Sequence, residues 1–260
     1  MPPQPESTDP VQQMTFSNRA PLVLALLALT ACAAPNPSQE FNDPYEGVNK
    51  RTHAFNVAVD RTLFYRTPEQ HAKGLPLPGP VLTGASNFAS NLSLPGKFLN
   101  HMLQGEIEPA VKTTFRFALN STLGLGGIFD PAGTDFALPE EDTDFGQTLH
   151  VWGAPEGAYV VLPILGPSTE RDAVGEVVDM ILDPLGNVLP SKEARAATGA
   201  KVAGKVADRE LNGELIDSIL HGSADSYAQM RLLYLQNRHY ELGIATETKD
   251  YDPYEDPYGN

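Results

Sequence analysis

The sequence predicts an all-α fold of short amphipathic helices broken by Gly and Pro turns, with little or no strand. Apolar residues recur three and four positions apart along most of the chain, which is the spacing of one face of an α-helix. The 23 prolines and 22 glycines divide this pattern into short pieces. After position 32, no apolar run reaches the roughly 18 residues of a membrane span; the best, residues 158–165, is interrupted by Pro163.

An apolar segment near the N-terminus indicates export. Residues 21–31 follow Arg19 and end directly before Cys32, the single cysteine of the chain. The four residues 29–32 are Leu-Thr-Ala-Cys, the lipobox pattern of bacterial lipoproteins. We therefore predict that residues 1–31 are a lipoprotein signal peptide and that Cys32 becomes the first mature residue. It would carry S-diacylglycerol and N-acyl chains, with no other cofactor.

Two features of this segment leave alternatives. An ordinary cleaved signal with an incidental cysteine also fits the pattern. Glu6 and Asp9 suit a signal peptide poorly, so Met14 is an alternative start to Met1.

The formal net charge of −15 excludes some partners. A nucleic-acid partner needs a concentrated basic face, and broad adhesion to anionic lipid headgroups needs the same. We expect neither.

The remaining chain divides into three parts. Residues 32–42 are predicted to be a flexible tether, residues 43–242 a helical domain, and residues 243–260 a disordered acidic tail. Within the domain, Asp43, Pro44 and Glu46 have the arrangement of a capping box, which predicts a first helix of about 20 residues beginning at Asp43.

Prolines and glycines set the next predicted boundaries. One helix is expected over residues 81–92 and another from Pro95, with Gly105 as its C-terminal cap. Residues 159–162 favour a brief strand or an extended buried segment. A short helix is expected to begin at Asp144, and Gly166 to Thr169 precede another helix, with Ser168 interpreted as an N-cap. Residues 191–213 are expected to be weakly helical and largely exposed.

A helix from Pro109 to residue 123 carries a polar stripe. Its polar residues Lys112, Arg116 and Asn120 are spaced four apart, and apolar residues cover most of the remaining surface. One interpretation is a basic, solvated edge on a mostly buried helix. The other is a track for lipid headgroups, in which Arg116 could donate paired hydrogen bonds to phosphate.

The glycine-rich segment after this helix suggests special backbone geometry. Gly124, Gly126 and Gly127 stand among apolar residues, which indicates a mobile hairpin or a close-approach turn. A dinucleotide site is rejected, because the segment follows a helix rather than a strand and has Phe129 in the third glycine position.

Catalytic chemistry is not expected. The six histidines are scattered singly, so no metal site is predicted, and no lipase-type G-x-S-x-G is present. The acidic loop at residues 140–144 is interpreted as solvated. Trp152 and Tyr159 could be interfacial anchors, although single aromatic residues favour the core.

Several long motifs, in order, resemble the MlaA (VacJ) family of outer-membrane lipoproteins. They are DPYEGVNKRTHAFN, SNFASNL, LNHMLQG, RFALNSTLGLGGIFDPAG, TDFGQTLHVWGAPEGAYVVLPILGPSTERDAVG and DSYAQMRLLYLQNRHYEL. The resemblance spans roughly residues 43–242.

This resemblance implies a helical ring in the periplasmic leaflet of the outer membrane, anchored by lipid and associated with a porin trimer. Its amphipathic channel would remove mislocalised phospholipids from the outer leaflet and pass them to a periplasmic lipid-carrier protein, maintaining lipid asymmetry. Lys112, Arg116 and Asn120 would lie on the lipid path, and Gly124, Gly126 and Gly127 would form a channel-side loop. The alternative is a structural, porin-associated lipoprotein without transport activity; a phospholipase would need a nucleophile that the sequence does not offer.

Overall fold

The computed structural model describes residues 41–65 and 77–244 and confirms the helical class. The chain forms α1 (Glu46–Leu63), α2 (Gly79–Gln104), α3 (Ile107–Thr122), a 3-10 turn (Leu125–Gly127), α4 (Pro131–Thr134) and α5 (Phe145–Val151). After strands β1 (Tyr159–Leu162) and β2 (Gly166–Thr169) come α6 (Glu170–Leu182), α7 (Pro184–Val188), α8 (Ser191–Leu211), α9 (Gly213–Leu220) and α10 (Ser226–Glu241). The predicted signal peptide, Cys32 and the tail beyond residue 244 lie outside the described residues, as does most of the tether.

The helices close into a ring, as the family resemblance implied. Helix α2 packs against α5, α5 against α6, and α6 against β2. Strand β2 contacts α10, which packs on α9, and α9 contacts α8. Since α8 packs along α2, the circuit returns to its first member. Among the described residues, no helix is both long enough and apolar enough to cross a bilayer.

The predicted capping box at the first helix is wrong. Helix α1 begins after Tyr45, and no side chain caps it. The Asp43 carboxylate is 3 % exposed and accepts instead from Asn49 Nδ2 at 2.8 Å, Tyr227 Oη at 2.5 Å and Arg231 Nη1 at 2.6 Å. Stronger donors from distant parts of the chain therefore take the oxygen atoms that a local cap would use.

Helix α2 runs through the predicted break at Pro95. A proline inside a helix costs about 3 kcal/mol because it removes one backbone hydrogen bond and crowds the preceding turn. Here α3, α5 and α8 all pack on α2, and this burial outweighs the local cost. The predicted cap at Gly105 is confirmed by its left-handed φ of 80°.

Helix α8 is the second departure: residues predicted to be weakly helical form a regular helix against α2, although most of them are exposed, as predicted. Its buried residues are small: Ala197, Gly204 and Ala207. A Cβ at Gly204 would overlap the Cβ of Ala89 on α2. The glycine lowers helix propensity and the alanines favour it, and all three are small enough to permit close approach of the two backbones.

The two strands form an antiparallel hairpin beside α1, which confirms the predicted strand. Tyr159 pairs with Thr169 and Leu162 with Gly166. The Asn49 side chain binds the carbonyl of Tyr159 and the amide of Val161, so α1 is attached to the free edge of β1. The small apolar core consists of Tyr159, Val161, Tyr227 and Leu235, with Phe41 and Tyr234 packed against it.

Three finer expectations had different outcomes. Asp144 caps α5 by accepting from the amide of Gln147, as the expected helix start implied. The cap of α6 is Thr169 rather than Ser168. Tyr159 is buried as expected, but Trp152 is 56 % exposed and donates its indole N–H to the carbonyl of Leu103, so its assignment to the core is wrong.

Candidate functional site

A cavity of ≈ 770 Å³, lined mostly by polar and charged residues, lies between helices of the ring. Its walls are α2, α6, α8 and α10, together with β2 and the loop before α5. Each helix contributes polar side chains from a single face: Lys97 and Asn100 of α2 are three residues apart, and Lys201 and Lys205 of α8 are four apart. Residues at these intervals share one side of a helix, so the ring directs polar stripes inward.

Arg238 of α10 organises one wall of this cavity. Its guanidinium donates to both oxygens of Asp144 at 2.8 Å and to both oxygens of Asp172 at 2.9 and 3.1 Å. Tyr234 also donates its hydroxyl to Asp172 at 2.8 Å. Burial favours the neutral guanidine, but the hydrogen bonds and charges of the two carboxylates outweigh it and raise the pKa of Arg238. This network fastens α10 to α5 and α6.

Two further cations of the lining are neutralised by nearby carboxylates. Lys97 pairs with Glu140 and with Asp142, the latter at 2.8 Å. Lys201 contacts both oxygens of Asp183 at 3.0 Å. The acidic loop at residues 140–144 was expected to be solvated; it instead supplies ion-pair partners to helices on both sides.

Two carboxylates on the α6 face have no cationic partner within 4 Å among residues 41–65 and 77–244. Asp179 accepts from Asn100 Nδ2 at 2.8 Å and from the amide of Phe145 at 2.9 Å, which are neutral donors. Glu176 Oε2 is buried without any hydrogen-bond partner. Burial raises the pKa of both carboxyl groups. On α8, Lys205 is exposed in the same cavity and forms no ion pair within 4 Å with any described residue, although its charge partly offsets the effect of burial on the pKa of Glu176.

The outer surface carries the apolar faces of several helices. On α3, Phe115 is 59 % exposed and Phe117 37 % exposed. The stripe of α1 that would ordinarily pack into a core is also outward, with Phe55 exposed while Asn49 and His53 are buried. A soluble protein seldom exposes so many large apolar side chains together. Polar groups inside and apolar groups outside are the arrangement suited to surrounding lipid.

The predicted polar stripe of α3 faces the protein interior rather than water or the cavity. Arg116 is 4 % exposed, and its Nη2 contacts Asp130 at 3.1 and 3.2 Å. Asn120 donates to the same carboxylate at 2.8 Å, while Lys112 pairs with Glu141 at 2.8 Å. Both interpretations expected an accessible stripe, whereas Arg116 and Asn120 are buried. The role of the three residues on a lipid path stays a prediction.

The glycine segment forms a close-approach turn rather than a hairpin. Gly126 and Gly127 have φ of 78° and 102°, the left-handed region that favours glycine. A Cβ at Gly127 would overlap the side chain of Asn91 on α2, and Asn91 Nδ2 donates to the carbonyl of Gly126 at 3.1 Å. The turn is thereby fixed against α2. Gly124, Gly126 and Gly127 do not line the cavity.

Among the described residues, one group has the spacing of metal ligands. Asp60, Asp217 and His221 bring their ligand atoms within 4.8 Å of one another. The guanidinium of Arg209 already contacts Asp60 at 2.6 Å and Asp217 at 2.5 Å, and His221 Nε2 lies 2.9 Å from Asp60. A cationic side chain therefore takes the place of an ion, and the group is an ion-pair network joining α1, α8 and α9.

The cavity residues were not identified from the sequence. Asp172, Glu176 and Asp179 have helical spacing, as do Lys201 and Lys205, but an inward polar stripe has the same pattern as a solvated one. The sequence feature that could have identified the cavity residues was the combination of such polar stripes with broad apolar faces on the same helices. That combination indicates a polar interior only if the surrounding medium is apolar.

Comparison with known proteins identifies the family. Residues 41–241 match the family model described as MlaA lipoprotein. The chain is 32 % identical over 238 residues to the intermembrane phospholipid transport system lipoprotein MlaA of Haemophilus influenzae, covering 88 % of this chain and 92 % of that protein. The protein of the same name from Escherichia coli K12 is 34 % identical over 245 residues, 91 % of each chain.

A solved structure gives the same assignment. It comes from work on the structural basis for maintenance of bacterial outer membrane lipid asymmetry. The match has a TM-score of 0.63 at 31 % identity and covers 77 % of this chain and 98 % of the other. The ring, the helical content and the sequence similarity agree, and the chain belongs to the MlaA lipoprotein family.

Proposed function

We propose that this chain is an outer-membrane lipoprotein that removes mislocalised phospholipids from the outer leaflet and so maintains lipid asymmetry. The observation that carries the proposal is the polar cavity inside a ring whose outer surface is apolar. The relatives are named as components of a phospholipid transport system and not as enzymes.

The physical task is to move a polar headgroup past an apolar barrier. A headgroup that crosses hydrocarbon unaided loses its hydration at a cost of several kcal/mol or more. The charged lining provides substitute hydrogen-bond partners, while acyl chains can remain against apolar surface. The ring needs no spanning helix for this, because its backbone polar groups are paired within short helices.

We propose that Cys32 carries the membrane anchor as S-diacylglycerol and N-acyl chains, so the domain faces the periplasm from the inner leaflet of the outer membrane. The lipobox supports this. Two or three acyl chains hold a protein stably, at roughly 0.8 kcal/mol for each buried methylene.

We propose a porin trimer and a periplasmic lipid-carrier protein as partners, as the family resemblance implies. The carrier would receive lipid from the ring, since a free phospholipid in the aqueous periplasm would expose its chains to water. The apolar outer face of α3 is available for contact with lipid or with a membrane-embedded partner.

Lys112, Arg116 and Asn120 would serve the lipid path indirectly. Arg116 and Asn120 both bind Asp130, which follows the glycine turn, so they would set the position of Gly124, Gly126 and Gly127 beside the path. A direct headgroup contact would require Arg116 to leave its ion pair.

The test is a complementation experiment in a Gram-negative strain that lacks its own family member and redundant systems. A membrane-impermeant amine reagent measures outer-leaflet phosphatidylethanolamine. Loss of the family member should raise the labelled lipid and increase detergent sensitivity, and expression of this chain should restore both. An outer leaflet that stays unchanged on deletion, or that this chain does not restore, would overturn the proposal.

The same strain separates transport from scaffolding. A purely structural lipoprotein would co-purify with porin and leave outer-leaflet phospholipid unaffected by any change confined to the cavity. The lipid readout therefore decides between the two functions, whereas porin capture is compatible with both. Released fatty acid from labelled lipid incubated with purified protein would instead indicate a phospholipase.

A further inference from the structure

The charge inside the ring is unbalanced once internal ion pairs are removed. Within the described residues, the cavity lining includes four cationic side chains and seven carboxylates. Arg238, Lys97 and Lys201 are each held by carboxylates of the lining or its flanking loop. In the part of the chain that the structure describes, Glu176 and Asp179 on α6 and Lys205 on α8 form no ion pair within 4 Å, although the charge of Lys205 reaches Glu176.

These remaining groups lie on different helices that face one cavity. Glu176 and Asp179 are three residues apart, so their carboxylates share a face of α6. Lys205 belongs to α8, a different helix of the ring, which packs on α2. The site therefore offers two negative groups on one helix and one positive group on another.

Resting on the proposed function, we infer that the cavity selects zwitterionic phospholipids with a primary amine, placing the ammonium group against Glu176 and Asp179 and the phosphate against Lys205. A headgroup of this class is itself a dipole with one cation and one anion. Its two ends match the two kinds of free charge in the lining. The cavity of ≈ 770 Å³ is within the range of small-molecule sites, about 300–1,000 Å³.

An anionic headgroup fits the same lining less well. Phosphatidylglycerol shares the phosphate but replaces the ammonium group with hydroxyls, so Glu176 and Asp179 would gain no opposite charge. The phosphate would also meet an excess of carboxylates without compensation. Discrimination of this kind arises from repulsion of the wrong partner as much as from attraction of the right one.

Burial is consistent with this role. Among the described residues Glu176 Oε2 has no hydrogen-bond donor, and burial raises the pKa of the carboxyl group. A buried acceptor without a partner costs free energy. An ammonium donor entering the cavity would supply the missing hydrogen bond and favour the ionised carboxylate.

The test uses the full mature chain, purified in mild detergent and incubated with vesicles of equal phosphatidylethanolamine and phosphatidylglycerol. Lipid retained on the protein is extracted and quantified by mass spectrometry. The wild-type chain should retain phosphatidylethanolamine over phosphatidylglycerol by ~3-fold, the size expected of an ion pair partly screened by water. Glu176→Gln should bring the ratio towards that of the vesicles.

Glu210→Gln is the matched control. Glu210 is a partly buried glutamate at the end of α8 and does not line the cavity. Its replacement removes the same charge and should leave the ratio unchanged. Lys205→Gln gives the complementary result: both lipids should decrease together, because the phosphate is common to them, and the preference for phosphatidylethanolamine should remain.

Each outcome identifies what has failed. Normal total lipid with no preference in the wild-type chain, or a preference that survives Glu176→Gln, would overturn the headgroup assignment and leave the proposed function intact. A wild-type chain that takes up no lipid at all would contradict both. Thermal unfolding of each variant establishes that it is folded. Asp179→Asn tests the same ammonium contact from the second carboxylate and should lower the preference for phosphatidylethanolamine as Glu176→Gln does.

Discussion

Replacing Arg238 with methionine should destabilise the ring strongly. Arg238 is 5 % exposed and donates to both Asp144 and Asp172. Removing one member of a buried ion pair costs about 3–5 kcal/mol, because the remaining charge is left without its partner. Asp172 keeps Arg171 Nε at 3.2 Å and the Tyr234 hydroxyl at 2.8 Å, so the lower value, about 3 kcal/mol, applies.

The assay is thermal unfolding of the mature protein in detergent, followed by circular dichroism at pH 7. For a domain of this size, each kcal/mol lowers Tm by roughly 2–4 °C, so Arg238→Met should lower Tm by about 6–12 °C. Arg195→Met is the control, since Arg195 is exposed on α8 and lies outside the cavity lining. A change of Tm no larger than that of the control would refute the assigned role of the network.

The pH dependence of the same variant gives a second check. Burial raises the pKa of Asp172, but the hydrogen bonds and charge of Arg238 outweigh it and hold the pKa below its usual range. In the wild-type chain this stabilisation is complete above the unfolded pKa near 4 and is lost as pH falls through the folded pKa. Without Arg238 the pKa of Asp172 rises, so the Tm difference between variant and wild type should shrink as the pH falls from 7 towards 4.

Three further predictions concern packing, burial and anchoring. Gly204→Ala should lower the free energy of unfolding by about 1–3 kcal/mol, because the new Cβ would overlap Ala89. Gly199→Ala lies on the same helix, and its new Cβ would meet no described atom within 4 Å, so it should raise the free energy of unfolding by roughly 0.5–1 kcal/mol. Equilibrium denaturation compares the two variants, and equal effects would contradict the close packing of α8 on α2. Glu176→Gln should raise Tm at pH 7, because it removes the free-energy penalty of burying an ionised carboxylate. Burial raises the pKa of Glu176 in the folded chain, so this penalty is present above the folded pKa and fades as the pH falls to the unfolded pKa. A thermal scan that finds the largest gain at low pH would be inconsistent with this sign. Cys32→Ala should impair sorting to the outer membrane more than the fold or the cavity, which membrane fractionation followed by circular dichroism measures; normal amounts in the outer membrane would contradict this separation of roles.

Local signals predicted the helical class and several boundaries. Gly105 and Asp144 act where they stand, through a left-handed φ and a side-chain cap, so the sequence around them is sufficient. The boundaries that failed depend on distant partners. The Asp43 carboxylate accepts hydrogen bonds from Tyr227 and Arg231, so it does not cap α1. Pro95 is tolerated inside α2 because three helices pack on that helix.

The direction in which each helix faces could not be predicted in the same way. Apolar periodicity locates a stripe, but assigning that stripe to the core assumes that water surrounds the protein. In α1 and α3 the assumption fails: Phe55 and Phe115 are exposed, while Asn49 and Arg116 are buried. The polar residues of α3 were therefore given an accessible role that the fold assigns to internal ion pairing.

The cavity is a property of tertiary contacts. Its free charges come from α6 and α8, whose residues Glu176 and Lys205 are brought to one cavity only when the ring closes. The family resemblance implied a channel, and the contacts of the structure identify which side chains line the ring. No spacing rule within one helix contains that information.

The central claim is that phospholipid passes through the polar interior of the ring. Gly96 lines the cavity, and a Cβ there would meet no described atom within 4 Å, so the side chain of Gly96→Phe can leave the backbone without a clash and its ring would occupy the path. Gly199→Phe is the control, because that position is equally open but lies outside the lining. The decisive measurement is outer-leaflet phosphatidylethanolamine in cells that express each variant in place of their own family member. We expect Gly96→Phe to leave the lipid elevated and Gly199→Phe to restore the normal level. Full restoration by a folded Gly96→Phe protein would contradict passage through the ring.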